Sequence, residues 1–303
     1  MFQFAIVFIY DIFLLGREKM LEMLISPKKA ERRPWELFFV GMFYASLSIL
    51  LVNWIFAKDV VLSQYSGILV VTFSVMFSLP FMYYIIKLEE EKATQSLGTF
   101  KLLKEHNKAL MAFMWLFLGF VVAFSFWYAI LPTTSSFKAQ IETYCAINRP
   151  GNTEACVAQY GVKGAQATAF ASNQERLFLI FSNNIYVLLF TLVFSLIFGA
   201  GAIFVLAWNA SVIAAAIGIF TQSNLNALPI GLLRFMVHGI PEIAAYFIAA
   251  LAGGIISIGV IRHEIGSGRF WEIMQDSLNL MILAVVILFI GALIEVFITP
   301  ALF

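Results

Sequence analysis

Residues 109–131 read ALMAFMWLFLGFVVAFSFWYAIL. No Asp, Glu, Lys or Arg interrupts them. A helix needs about 20 apolar residues to cross a hydrocarbon core about 30 Å thick. A surface helix of a soluble protein would show a polar face at helical spacing, and this stretch shows none. It reads as a transmembrane helix. Four other stretches pass the same test: 37–56, 66–86, 184–207 and 277–299. The apolar region 210–261 is interrupted by TQSNLNALP and reads as two further spans, 210–221 and 228–261. The second is long for one straight span, and Pro241, which lacks an N–H, is expected to kink or break it. The expectation is an all-α, polytopic transmembrane bundle of about seven spans.

Composition agrees. The 303 residues are 61% hydrophobic and only 12% charged, with a mean hydropathy of +0.90. Soluble domains have about 45–50% apolar and about 25% charged residues, so a water-soluble globule is excluded. Disorder is excluded too, because it needs low hydrophobicity and high charge. The net charge of +1 gives no field to hold nucleic acid. The lipid bilayer is the first expected partner. Residues 2–15 are too short for a span, contain Asp11 and lack a cleavage site, so an interfacial helix is expected there.

Orientation follows from the Lys and Arg of short loops. Segment 16–36 carries Arg17, Lys19, Lys28, Lys29, Arg32 and Arg33; segment 87–108 carries Lys87, Lys92, Lys101, Lys104 and Lys108. Both flank spans on one side, taken as cytoplasmic. Counting forward puts segment 132–177 outside, 262–276 inside and the C-terminus outside, in a multi-pass cell-membrane protein. The chain divides into a basic N-terminal segment (1–36), a three-span half (37–131), an external loop (132–177) and a second membrane half (178–303). The external loop holds both cysteines, Cys145 and Cys156. Outside the cytosol such a pair is expected to be a disulfide.

Polar groups inside a membrane are costly unless paired, so each one is a candidate for function. Arg234, His238 and Glu242 repeat at i, i+4, i+8 and form one helical stripe. Ala245, Ala249 and Gly253 continue from Glu242 as a small-residue face that admits a neighbouring helix. Glu295 has Gly291 four residues before it, on a similar face. Each carboxylate lies about 27–28 Å along its helix from the cytoplasmic end, so the two are expected at one depth, near the external leaflet. Asn183 and Asn184 open their span from that side. The expected cluster is Asn183, Asn184, Arg234, His238, Glu242 and Glu295, with Asn209 on the cytoplasmic side. Gly199 and Gly201, in FGAGAIF, suit a helix-packing notch or a hinge. No cofactor or metal is expected: HExxH, GxSxG, GxGxxG and GxxxxGK are absent, and His238 with Glu242 supplies only two ligands.

Three uses of such a cluster can be weighed. It can be a hydrogen-bonded knot that fixes helix packing, a site for a solute, lipid headgroup or proton, or a catalytic centre.

Residues 172–303 also resemble the stage II sporulation protein M family of integral membrane proteins. The similarity lies in Asn183–Asn184 at a span start, Gly199 after it, and Trp208–Asn209–Ala210, where Ala210 departs from the family's Gly. It continues in HGIPEIAAYFIAALAGG (238–254) and ALIEVFITP (292–300). The resemblance implies an all-α membrane fold. It also implies a scaffold or positioning role in a membrane complex with envelope-remodelling proteins. The reading at this stage is a non-enzymatic scaffold or complex subunit, with other membrane or envelope proteins as partners and homo-oligomers made through the small-residue faces. The alternative is a transporter or channel component that uses the external-side cluster.

Overall fold

The computed structural model describes residues 33–56, 59, 61–92, 99–131, 135–148, 152–160, 172–198, 202–261 and 268–303. The expected interfacial helix at 2–15 lies outside them, as do Gly199 and Gly201. The described elements are helical throughout. They are α1 (Glu36–Phe56), a 3-10 turn (Leu62–Tyr65), α2 (Ser66–Lys92), α3 (Thr99–Ile130), α4 (Lys138–Asn148), α5 (Thr153–Tyr160) and α6 (Asn173–Phe198). Then come α7 (Ala202–Phe220), α8 (Leu228–Ile261), α9 (Gly268–Leu293), a π-helical turn (Ile294–Ile298) and a last helical turn, Thr299–Leu302. Among the described residues seven helices are long and apolar enough to cross a membrane. Large side chains such as Phe178, Tyr186, Leu233, Ile282 and Val286 point outward, as lipid-facing surfaces require.

The centre of the first half is α3. Its Phe117, Phe120 and Phe124 are completely buried. Two glycines let α1 press against it. A Cβ at Gly119 would meet the Phe38 carbonyl oxygen, Met42 N at 2.9 Å and Gly41 Cα at 3.1 Å. These are backbone atoms, so the two helices touch main chain to main chain, as small residues permit inside membranes. On its other side α3 meets the second half. The Tyr128 ring lies on Gly218 of α7, and Phe113 packs against Phe247 of α8 with ring centroids 5.5 Å apart. One apolar core therefore runs through both halves.

Helix α8 is the hub of the second half. It runs parallel to α6, with Ser195 Oγ donating to the Ala250 carbonyl at 2.6 Å. It runs antiparallel to α9, with Ser277 Oγ donating to the Ala252 carbonyl at 3.3 Å. The expected small-residue face of α8 is occupied by α6. A Cβ at Gly253 would meet Ser195 Cβ at 3.0 Å and Leu196 N at 3.2 Å, and Ala245 and Ala249 are fully buried.

The sequence reading is refined at four places. Helix α6 begins at Asn173, so Asn183 and Asn184 lie about three turns inside their span instead of opening it. Helix α8 passes through Pro241 without a break. The ring removes one N–H and so one hydrogen bond, and neighbours on two sides hold the helix. The boundary between the fourth and fifth spans shifts from about residue 208 to the interval between Phe198 and Ala202. Asn209 is therefore inside α7, where its Nδ2 donates to the Val205 carbonyl at 2.8 Å. An amide bonded back to its own preceding turn needs no helix end. Finally, segment 132–177 contains two short helices, α4 and α5, rather than loop alone.

Cys145 and Cys156 join α4 to α5 in a disulfide with Cα atoms 5.7 Å apart, and both are fully buried. A bridge closing so short a loop contributes about 3 kcal/mol. Cys145→Ser should lower stability by about that amount in thermal or denaturant unfolding in mild detergent. An unchanged midpoint would show that packing alone holds the α4–α5 pair.

Candidate functional site

Two antiparallel stripes meet where α8 packs on α9. One is Arg234, His238 and Glu242. The other is Gly291, Glu295 and Thr299, which repeats the same four-residue spacing across the end of α9 and the π turn. The stripes interlock at both ends. A Cβ at Gly291 would lie 3.2 Å from Glu242 Cγ, 3.6 Å from Pro241 Cβ and 3.7 Å from the His238 carbonyl oxygen. Gly291 thus seats the Glu242 stem against α9. Toward the other end, His238 Nδ1 is 3.2 Å from Thr299 Oγ1. Glu295 lies between these contacts in register.

The third wall is α6. Asn184 Nδ2 donates to Glu242 Oε1 at 2.8 Å, and Asn183 Nδ2 approaches Asn184 Oδ1 at 3.4 Å. Asn184 and His238 are buried, whereas Glu242 and Glu295 are partly accessible. Arg176, two helical turns before Asn184, and Arg234 both act electrostatically on Glu295. Glu295 in turn acts on Glu242. Two guanidinium groups are thus within electrostatic reach of Glu295. Arg234 is held from the side by the Phe220 ring, with Cζ 4.7 Å from the centroid, a cation–π distance.

The π turn has a local cause. The Thr299 N–H bonds to the Ile294 carbonyl, five residues back. The next residue, Pro300, offers no N–H at all, so the ordinary i→i−4 ladder cannot resume across it. π turns inside helices recur at functional positions, and this one contains Glu295.

The profile of a family described as stage II sporulation protein M matches residues 2–300. The chain belongs to that family. The match takes in the first three spans as well as the second half. An uncharacterised protein of Methanocaldococcus jannaschii is 31% identical over 126 residues, 40% of this chain and 69% of that protein. No solved structure matches.

In this stage II sporulation protein M family member the sequence-derived residues fall into three sets. Asn184, His238 and Glu242 make the contacts among α6, α8 and the end of α9, with Asn183 beside Asn184, Arg234 against Phe220 of α7 and Glu295 in the π turn. Asn209 stands apart, bonded within α7. Gly199 and Gly201 are outside the described residues. Three participants escaped the sequence reading: Arg176, Thr299 and Tyr246, the last buried and within the fields of both carboxylates. Each extends a recognised stripe by four or eight residues, Arg176 from Asn184, Thr299 from Glu295 and Tyr246 from Glu242. Carrying each stripe on by one or two turns would have found them. Among the described residues no group of three or more His, Cys, Asp or Glu is placed to hold a metal ion.

Proposed function

We propose that this membrane protein is a non-enzymatic scaffold, or a subunit of a membrane complex, linked to envelope or membrane remodelling. The supporting observation is the Asn184–Glu242 hydrogen bond, together with Gly291 seated on the Glu242 stem. Asn184, Glu242 and His238, which could have served a substrate, are spent on contacts between helices. A polar knot of this kind fixes helix register and leaves the outer faces free for other proteins. Membership of the stage II sporulation protein M family supports the same reading. In this proposal the N-terminus is cytoplasmic, and the disulfide-bonded segment and C-terminus are external. Partners are membrane or envelope proteins, or further copies of the chain. The test is gentle solubilisation of tagged full-length protein from its native membrane, followed by mass measurement and identification of stoichiometric partners. An assembly larger than one chain is expected. A lone monomer under every mild detergent would overturn the scaffold role.

A second reading is favoured by the π turn at Glu295 and by the partial accessibility of both acids. Here the cluster is a transport site for a solute, lipid or proton. Glu295→Cys separates the two. Labelling by a membrane-impermeant maleimide, with Cys145 and Cys156 left in their disulfide, would indicate a water-filled path and favour transport. An unlabelled thiol in folded protein favours the closed knot.

A further inference from the structure

A cleft of ≈ 820 Å³ opens between α4, α5 and α7, away from the polar cluster. Its size is within the about 300–1,000 Å³ usual for small-ligand sites. Its chemistry comes from Lys138, Glu142 and Thr143 of α4, Glu154 and Val157 of α5, and Trp208 of α7. The walls are held independently of any guest. The buried disulfide clamps α4 to α5. On the buried side of α4, Gln140 Nε2 donates to the Gly67 carbonyl at 2.9 Å and to Ser211 Oγ at 3.1 Å. Ser211 Oγ donates in turn to the Trp208 carbonyl at 2.7 Å. The helix bearing Lys138 and Glu142 is thus tied directly to the wall that bears the indole.

The charges are unequal. Lys138 and Glu142 face each other at 4.0 Å, both about half exposed, while Glu154 adds a second carboxylate. A wall with two acids, one ammonium and an indole matches a guest that carries both a cation and an anion. An aromatic face beside carboxylates attracts an organic ammonium group, and Lys138 is placed to take a phosphate oxygen. Trp208 belongs to a helix apolar enough to cross the membrane, whereas α4 and α5 present polar and charged side chains. The cleft therefore joins an apolar surface to a polar one, as an amphiphile requires.

We propose that this cleft binds the headgroup of an amine-bearing phospholipid, with the ammonium at Glu142, Glu154 and Trp208 and the phosphate at Lys138. This goes beyond the scaffold reading and does not depend on it. The test is native mass spectrometry of the full-length, disulfide-intact protein in detergent, with dioleoyl phosphatidylethanolamine or dioleoyl phosphatidylglycerol added. The wild type should retain the ethanolamine lipid about tenfold better. Glu142→Gln with Glu154→Gln should abolish that preference. Val157→Trp should block the cleft and reduce ethanolamine-lipid binding with all charges kept, which covers the case of a charge variant that fails to fold. Equal retention of the two lipids by the wild type would overturn the proposal. So would an undiminished preference in either folded variant, or displacement of the lipid by an octalysine peptide that binds more tightly, which would assign the cleft to a basic protein segment.

Discussion

Gly119→Val in the full-length protein is expected to lower stability by about 3 kcal/mol, at the upper end of overpacking costs, and to reduce yield in mild detergent. The first added carbon alone would run into the Phe38 carbonyl oxygen and the main chain at Met42 and Gly41. Backbone atoms in two adjoining helices cannot swing aside as a side chain can. Relief requires α1 and α3 to separate, which loosens the seam on which Leu37, Ala45, Leu116 and Phe120 are all completely buried. Gly254→Ala is the matching control. Its nearest neighbour would be Ser195 Oγ at 3.8 Å, an ordinary contact, so its midpoint should stay close to that of the wild type. Thermal unfolding of both variants in one detergent decides the matter. Equal midpoints would show that α1 and α3 do not approach as closely as the fold requires.

The second large effect is expected in the cluster of Glu242 and Glu295. Glu295→Ala removes the carboxylate on which Arg176 and Arg234 act electrostatically. Both guanidinium groups are partly exposed, so the loss is about 1 kcal/mol rather than that of a fully buried pair. Glu242→Ala leaves the Asn184 amide without its acceptor, at about 1–3 kcal/mol. The two acids share one cluster, so the double variant should lose less than the sum of the single losses. Additive losses, or a Glu295→Ala protein as stable as the wild type, would show that the cluster is not an energetic unit.

Much of this was legible along the chain. The seven spans follow from segment length and lack of charge, because a bilayer demands about 20 apolar residues per crossing whatever the rest of the molecule does. The Arg234–His238–Glu242 stripe follows from helical periodicity, which packing cannot alter once the helix forms. Cys145 and Cys156 were legible as a pair because segment 132–177 contains both cysteines of the chain. Where one helix ends and the next begins was less legible. Trp208–Asn209 fell between the spans read at 184–207 and 210–221, yet the Asn209 side chain finds an acceptor on its own preceding turn, inside α7. Pro241 was expected to kink or break α8, and the helix continues through it between neighbours on both sides.

The sequence by itself determined that the chain is a many-pass helical membrane protein and which faces of its helices carry polar groups. Each of those is a local property of length, polarity and 3.6-residue spacing. Only the tertiary structure decided which faces meet. It set Asn184 on Glu242, Gly291 against the same side chain, Thr299 on His238, and α4 across α7 to open a cleft at Trp208. Such contacts depend on how close two backbones come and at what register. That distance is set jointly by residues as far apart in the chain as Gly41 and Gly119, so no single segment encodes it.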